Sequence, residues 1–250
     1  MNRHDTPLSL FLRCLDADYI HTPEGGDYAL QLDKNCLYLL FEWSDGREDW
    51  HHNLTFFAKK VNPDAPKEQQ WRAHRGFLKV WNAMKSDVLD KIADITVDHP
   101  IRSLTCVGYS HGAALALLAT QELSRKFGQQ IPVAGYGFGS PRVIWGGLPR
   151  SVGDHLKNFH TLRNRPDLVT HLPPAILGFR HINLQVWGEK GKYGPIEAHT
   201  SQAYIQTLKQ GQENLSAASS TRSAVSLTNT SKSRRDKWFF RSVYSATPRR

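Results

Sequence analysis

Between residues 28 and 209 short apolar runs alternate with longer stretches of helical periodicity. The runs Tyr28–Leu32, Cys36–Trp43, Leu104–Tyr109, Val133–Phe138, Phe159–Arg163 and His181–Trp187 are strand-sized. Between and after them, Gly76–Ile95, His111–Phe127 and His199–Lys209 read as helices. In the first of these, Phe77, Val80, Trp81, Met84, Val88, Leu89 and Ile92 recur at three-to-four spacing, so one face packs on a sheet. A β-α-β-α order predicts an α/β fold whose central sheet is mainly parallel and flanked by helices.

From Ser216 onward the pattern stops. The text SAASSTRSAVSLTNTSKSRR has few large apolar residues and cannot bury enough surface to offset chain ordering. Two parts are therefore expected: a folded domain over residues 1–215 and a disordered tail over 216–250. Charge follows the same division. Of the formal +9, the tail carries a net +7 from eight Lys and Arg against Asp236, which leaves +2 for the rest. Basic character thus belongs to the tail, and nucleic acid is not an expected partner of the folded part.

The 250 residues are 40% hydrophobic and contain no apolar run long enough for a bilayer span, so a soluble chain is expected. Arg13 interrupts the N-terminal apolar patch and no small-residue cleavage site follows, so no secretory signal is read. Cys14, Cys36 and Cys106 are odd in number and unrelated in spacing, which suits buried thiols in a reducing, cytoplasmic location.

Gly108-Tyr109-Ser110-His111-Gly112 has the G-x-S-x-G form, with the apolar strand SLTCVGY running into it and the small-residue helix GAALALLAT leaving it. That context is what a nucleophile elbow requires: a tight strand-to-helix turn that pushes Ser110 out over the sheet edge. A neutral serine needs a base, and the base needs an orienting acid. Among the acids that follow (Glu122, Asp154, Asp167, Glu189, Glu197), Asp167 stands out. It sits in a polar turn just past the strand-like FHTLRN, on the side of the sheet where such sites form. Three histidines lie downstream, and the residues alone leave all of them open: His171 shares the loop of Asp167, His181 begins a strand-like run, and His199 stands in a polar loop before the last helix. The histidines show no metal-ligand spacing such as HExxH, and neither metal nor cofactor is called for.

Several ordered stretches resemble the class 3 lipases, the fungal triacylglycerol lipase type. Leu40-Phe41-Glu42-Trp43-Ser44 with Trp50 downstream is similar to the family's F-R-G-[ST] turn, and His74-Arg75-Gly76-Phe77 to its H-x-G-F. The elbow follows, then Phe138-Gly139-Ser140-Pro141-Arg142-Val143, the Asp167–Pro174 segment with Gly178 and His181, and His199 with Tyr204 close behind. The resemblance covers residues 36 to 205. It implies an α/β-hydrolase fold, with Ser110, Asp167 and His199 as catalytic triad and His181 as a non-catalytic neighbour. Ser44 and the backbone N–H of His111 fall at the oxyanion position. Glu42-Trp43 stand where the family has Arg-Gly, which removes a cation and a flexible glycine. The family's lid falls on residues 45–54, here mostly polar.

The activity implied is hydrolysis of carboxylic esters of lipids through an acyl-enzyme. The expected partners are a lipid or small ester substrate and, transiently, a lipid interface. Phospholipase A1, feruloyl esterase or thioesterase activity on the same scaffold is the alternative within the hydrolases; a non-catalytic binding protein is the alternative outside them.

Overall fold

A computed structural model describes residues 5–23, 26–42 and 56–214. The chain divides into two compact units, Met1–Leu208 and Lys209–Arg250. In the second, residues 209–214 are described and are helical. Ser44, the segment 45–54 and the tail 216–250 lie outside the described residues.

The first unit is built on a sheet of six strands among the described residues: β1 (Tyr28–Asp33), β2 (Cys36–Phe41), β5 (Ser103–Tyr109), β6 (Val133–Phe138), β8 (Phe159–Asn164) and β10 (Leu184–Trp187), hydrogen-bonded in that spatial order. From β2 to β10 every neighbouring pair is parallel, and β1 pairs antiparallel with β2 at one edge. This is the mainly parallel, helix-flanked sheet that the alternation of patterns predicts. A second, small antiparallel sheet joins β3 (Ala58–Lys60), β4 (Arg72–His74), β7 (Ile144–Trp145) and β9 (Phe179–Arg180).

The period of two along each strand sorts the core into two layers. Leu37, Leu39, Phe41, Leu104 and Cys106 face helices α2 (Arg75–Asp98) and α3 (His111–Phe127), where Trp81, Met84, Val88 and Ile92 supply the expected stripe. Tyr38, Leu40, Val107, Tyr109 and Phe138 face the other way, onto Leu10, Phe11 and Cys14 of α1 (Pro7–Leu15) and Tyr204 and Leu208 of α5 (201–214). Both faces are covered, as a parallel sheet requires. A short helix, α4 (Arg150–His155), completes the unit.

Two expectations need correction. The run His181–Trp187 is a strand only over Leu184–Trp187, in the large sheet, while Phe179–Arg180, just before the run, pairs in the small one. Between them Asn183 has φ 45°, a left-handed conformation that breaks strand geometry and turns the chain. The last helix does not begin at His199, which closes a 3₁₀ turn over Glu197–His199; the α-helix starts at residue 201.

Helix α1 was hidden in what reads as an apolar patch. It is set by a capping box between Thr6 and Ser9, with Pro7 at the first helical position. Phe11, fully buried, places its ring 5.2 Å from Tyr109, 4.9 Å from Phe138 and 5.7 Å from Tyr204. Phe11→Ala is expected to cost about 3–5 kcal/mol of stability, because that space lies between rings held by two strands and a helix and cannot collapse. Urea denaturation of the two proteins measures it.

Candidate active site

At the C-terminal end of β5 the chain reverses into α3 through Ser110, which has φ 55° and ψ −119°. A non-glycine residue held there is strained and persists because its surroundings over-determine it. The surroundings are backbone on both sides. A Cβ on Gly108 would lie 2.1 Å from the Gly112 carbonyl oxygen, and one on Gly112 would lie 2.4 Å from the carbonyl oxygen of Phe41. Strand β5, the first turn of α3 and the end of β2 therefore nest without side chains between them. Ser110 itself is buried, at 7% exposure, and stands at the helix N-terminus, where the first N–H groups lack intrahelical partners.

Three side chains from separate parts of the fold meet in line. Ser110 Oγ is 2.9 Å from His199 Nε2, and His199 Nδ1 is 2.9 Å from Asp167 Oδ2. The Asp167 carboxylate is completely inaccessible to solvent, so its charge needs partners. It accepts hydrogen bonds from the Tyr204 hydroxyl at 2.7 Å and from the backbone N–H of Val169 at 2.9 Å, in addition to His199. An imidazole between a buried carboxylate and a hydroxyl can take the hydroxyl proton on Nε2 while Nδ1–H stays bonded to the acid.

The other two histidines left open by the residues are elsewhere. His181 donates from Nε2 to the Thr170 carbonyl at 2.8 Å, and His171 accepts at Nε2 from Arg163 Nη1 at 3.5 Å. His111 is the first residue of α3, so its N–H stands at the free start of the helix. Its ring lies 5.4 Å from that of Phe77, and burial, reinforced by His74, pushes its pKa down to about 4.

Two residues that hold this arrangement have no signature in the sequence. Asn164, buried at the end of β8, donates from Nδ2 to the Ala198 carbonyl at 3.0 Å, and its backbone N–H donates to the Tyr204 hydroxyl at 3.0 Å. Tyr109, beside Ser110, donates its hydroxyl to the carbonyl of His199, with the two rings 5.3 Å apart. Consecutive carbonyls of the His199 turn are thus tied to two strands of the sheet. Gly139, at φ 60°, clears the space: a Cβ there would stand 3.0 Å from His199 Cε1.

Three histidines, His74 buried and His111 and His181 half-buried, are expected to weaken the fold in acid. Burial pushes His74, His111 and His181 each to about 4, while in the unfolded chain a histidine takes up its proton near 6.5. The unfolded state binds more protons in between, so stability is full above about pH 6.5 and falls as pH drops toward 4. His181→Gln, which keeps an N–H donor for Thr170, is expected to lessen that fall; urea midpoints at pH 7 and pH 5 check it.

The chain matches the family model Lipase (class 3) over residues 38–177. It is 28% identical over 156 residues to a lipase of Rhizomucor miehei, covering 62% of this chain and 42% of that one. To the secreted mono- and diacylglycerol lipase A of Penicillium cyclopium it is 27% identical over 172 residues, covering 68% and 54%. The chain thus spans about half the length of the curated relatives it matches. The structure of the Rhizomucor miehei lipase propeptide complex superimposes with a TM-score of 0.60 at 18% identity, over 77% of this chain and 66% of that one, which establishes the α/β-hydrolase fold. The matched span of the family model contains Ser110 and Asp167 and ends before His199.

Proposed function

The chain belongs to the class 3 lipase family, and from that premise we propose that it is a serine hydrolase of carboxylic esters of lipids. The observation that carries this reading is the unbroken hydrogen-bonded line from Ser110 Oγ through His199 to the buried Asp167. In the proposed reaction Ser110 Oγ attacks the ester carbonyl carbon as its proton passes to His199 Nε2, and Asp167 stabilises the imidazolium. The carbonyl oxygen takes the negative charge and is held by the His111 N–H and by Ser44. Collapse breaks the bond to the alcohol, whose oxygen leaves with the proton from His199. Water then attacks the acyl-enzyme, again with His199 as base, and releases the carboxylic acid and Ser110. Loss of a single oxyanion donor typically slows such a step about 100- to 1,000-fold.

Residues 1–215 form the hydrolase domain in this reading, and 216–250 a basic tail. The likeness to a mono- and diacylglycerol lipase supports acylglycerols as substrates, taken up by transient contact with a lipid interface. No helix among the described residues is long and apolar enough to cross a membrane. Cys14, Cys36 and Cys106 are all unpaired, and burial pushes the Cys14 and Cys106 thiols up, to about 11 and about 12. Three free thiols support a reducing compartment for this chain, although the Penicillium relative is named as secreted.

A fluorophosphonate probe is expected to label Ser110, and Ser110→Ala to abolish both labelling and hydrolysis while the protein stays folded. His199→Ala is expected to lose activity to nearly the same extent, whereas His181→Ala keeps most of it. A folded wild-type protein that is never labelled overturns the reading in favour of a binding protein. Rates on acylglycerols of graded chain length, beside phospholipid and thioester substrates, assign the substrate class.

A further inference from the structure

On the turn that follows Asp167, two guanidinium groups meet one residue. Arg142 donates from Nη1 to the carbonyl of His171 and, at 2.8 Å, to that of Pro173. Arg163, on β8, places Nη1 3.5 Å from Nε2 of the same His171. Neither arginine forms an ion pair with a carboxylate among the described residues. The Nε of Arg163 is buried and has no hydrogen-bond partner among the described residues. A buried guanidinium N–H left unpaired is costly, because removing a charged donor from water forfeits hydration that nothing restores.

The local charge is correspondingly one-sided. After burial itself, the charged groups that act on His171 are Arg163, Arg142 and, in the opposite sense, Asp167. Asp167 is fully enclosed and already engaged by His199, Tyr204 and Val169. Burial and the nearby Arg163 both push the guanidinium of Arg142 down. Two cations are therefore held together by a partly exposed surface turn, and the acid beside them is committed elsewhere.

We propose that Arg142, Arg163 and His171 form a binding site for a phosphoryl group. The donors suit that chemistry: guanidinium groups offer paired N–H bonds in a fork that matches phosphate oxygens, and two of them balance a dianion better than a single carboxylate does. His171, which both arginines contact, is exposed, so an anion can reach this turn from solvent. The site is separate from the Ser110 line and does not depend on the hydrolase reading. It sits on the turn that carries Asp167, so an occupant is positioned to stiffen that turn. The phosphoryl group belongs either to free phosphate or to a lipid headgroup, and the experiment separates these sources.

Calorimetric titration of the full chain with inorganic phosphate is the first arm. Saturable binding is expected, weakened about tenfold in Arg163→Gln. Arg165→Gln, which alters an exposed arginine bonded instead to the Gly188 carbonyl, is expected to bind as the wild type does. His171→Ala removes an exposed ring without touching the core and is expected to weaken binding severalfold, which keeps the test valid should Arg163→Gln misfold. In the second arm, flotation with phosphatidylcholine vesicles is compared with and without phosphatidic acid. The basic tail favours anionic vesicles in every variant, so the readout is the difference between wild type and Arg163→Gln. A difference on phosphatidic acid vesicles assigns the lipid source. Phosphate binding that depends on Arg163 without such a difference upholds the site and assigns it to free phosphate. If Arg163→Gln and His171→Ala match the wild type in both arms, or nothing binds in either, the proposal is overturned.

Discussion

The structure depends on a steric constraint: three backbone segments touch at the elbow with no side chain between them. Gly108 and Gly112 are the positions where a Cβ would collide with backbone rather than with a movable side chain, at 2.1 and 2.4 Å. Because the first turn of α3 lies directly against the ends of β5 and β2, Ser110 is forced into its left-handed conformation and off the sheet edge. The same contact brings the chain leaving Phe41 alongside the free N–H groups of the helix. Strain at Ser110, of order 1–3 kcal/mol, is sustained by the covered sheet on either side.

On that platform the polar line is held by groups that do not themselves lie in it. A fully enclosed carboxylate is tolerable only when its oxygens are occupied, and Asp167 meets that condition through an imidazole, a phenol and a backbone N–H. Tyr204 links the acid to the end of β8, and Asn164 links β8 to the turn bearing His199. Tyr109 ties that turn to β5. Phe11, from α1, packs against the rings of both Tyr109 and Tyr204, so an N-terminal helix remote in sequence supports the histidine from behind.

Charge is distributed with the same economy. The loop that carries Asp167, engaged by His199, also carries His171, which Arg142 and Arg163 both contact, and neither arginine has an ion-pair partner among the described residues. Desolvation holds His74, His111 and His181 below the usual histidine range, which disfavours their charged forms.

By itself the sequence determined the order of elements, the two periodicities and the position of the serine. The reason is that these are local: a period of two or of 3.6 shows in a short window, and two glycines flanking a serine between an apolar strand and a small-residue helix mark a tight turn wherever they occur. It also narrowed the acid to Asp167, since a carboxylate just past a strand end lies on the known side of a parallel sheet. Choosing among His171, His181 and His199 needed either family resemblance or coordinates, because which loop reaches Ser110 is set by contacts across 89 positions of chain. The break at Asn183, the helix under the Phe11 patch and the clamps from Tyr109 and Asn164 were decided by tertiary structure. Each depends on a partner far along the chain or on a backbone angle that the residue type permits without requiring.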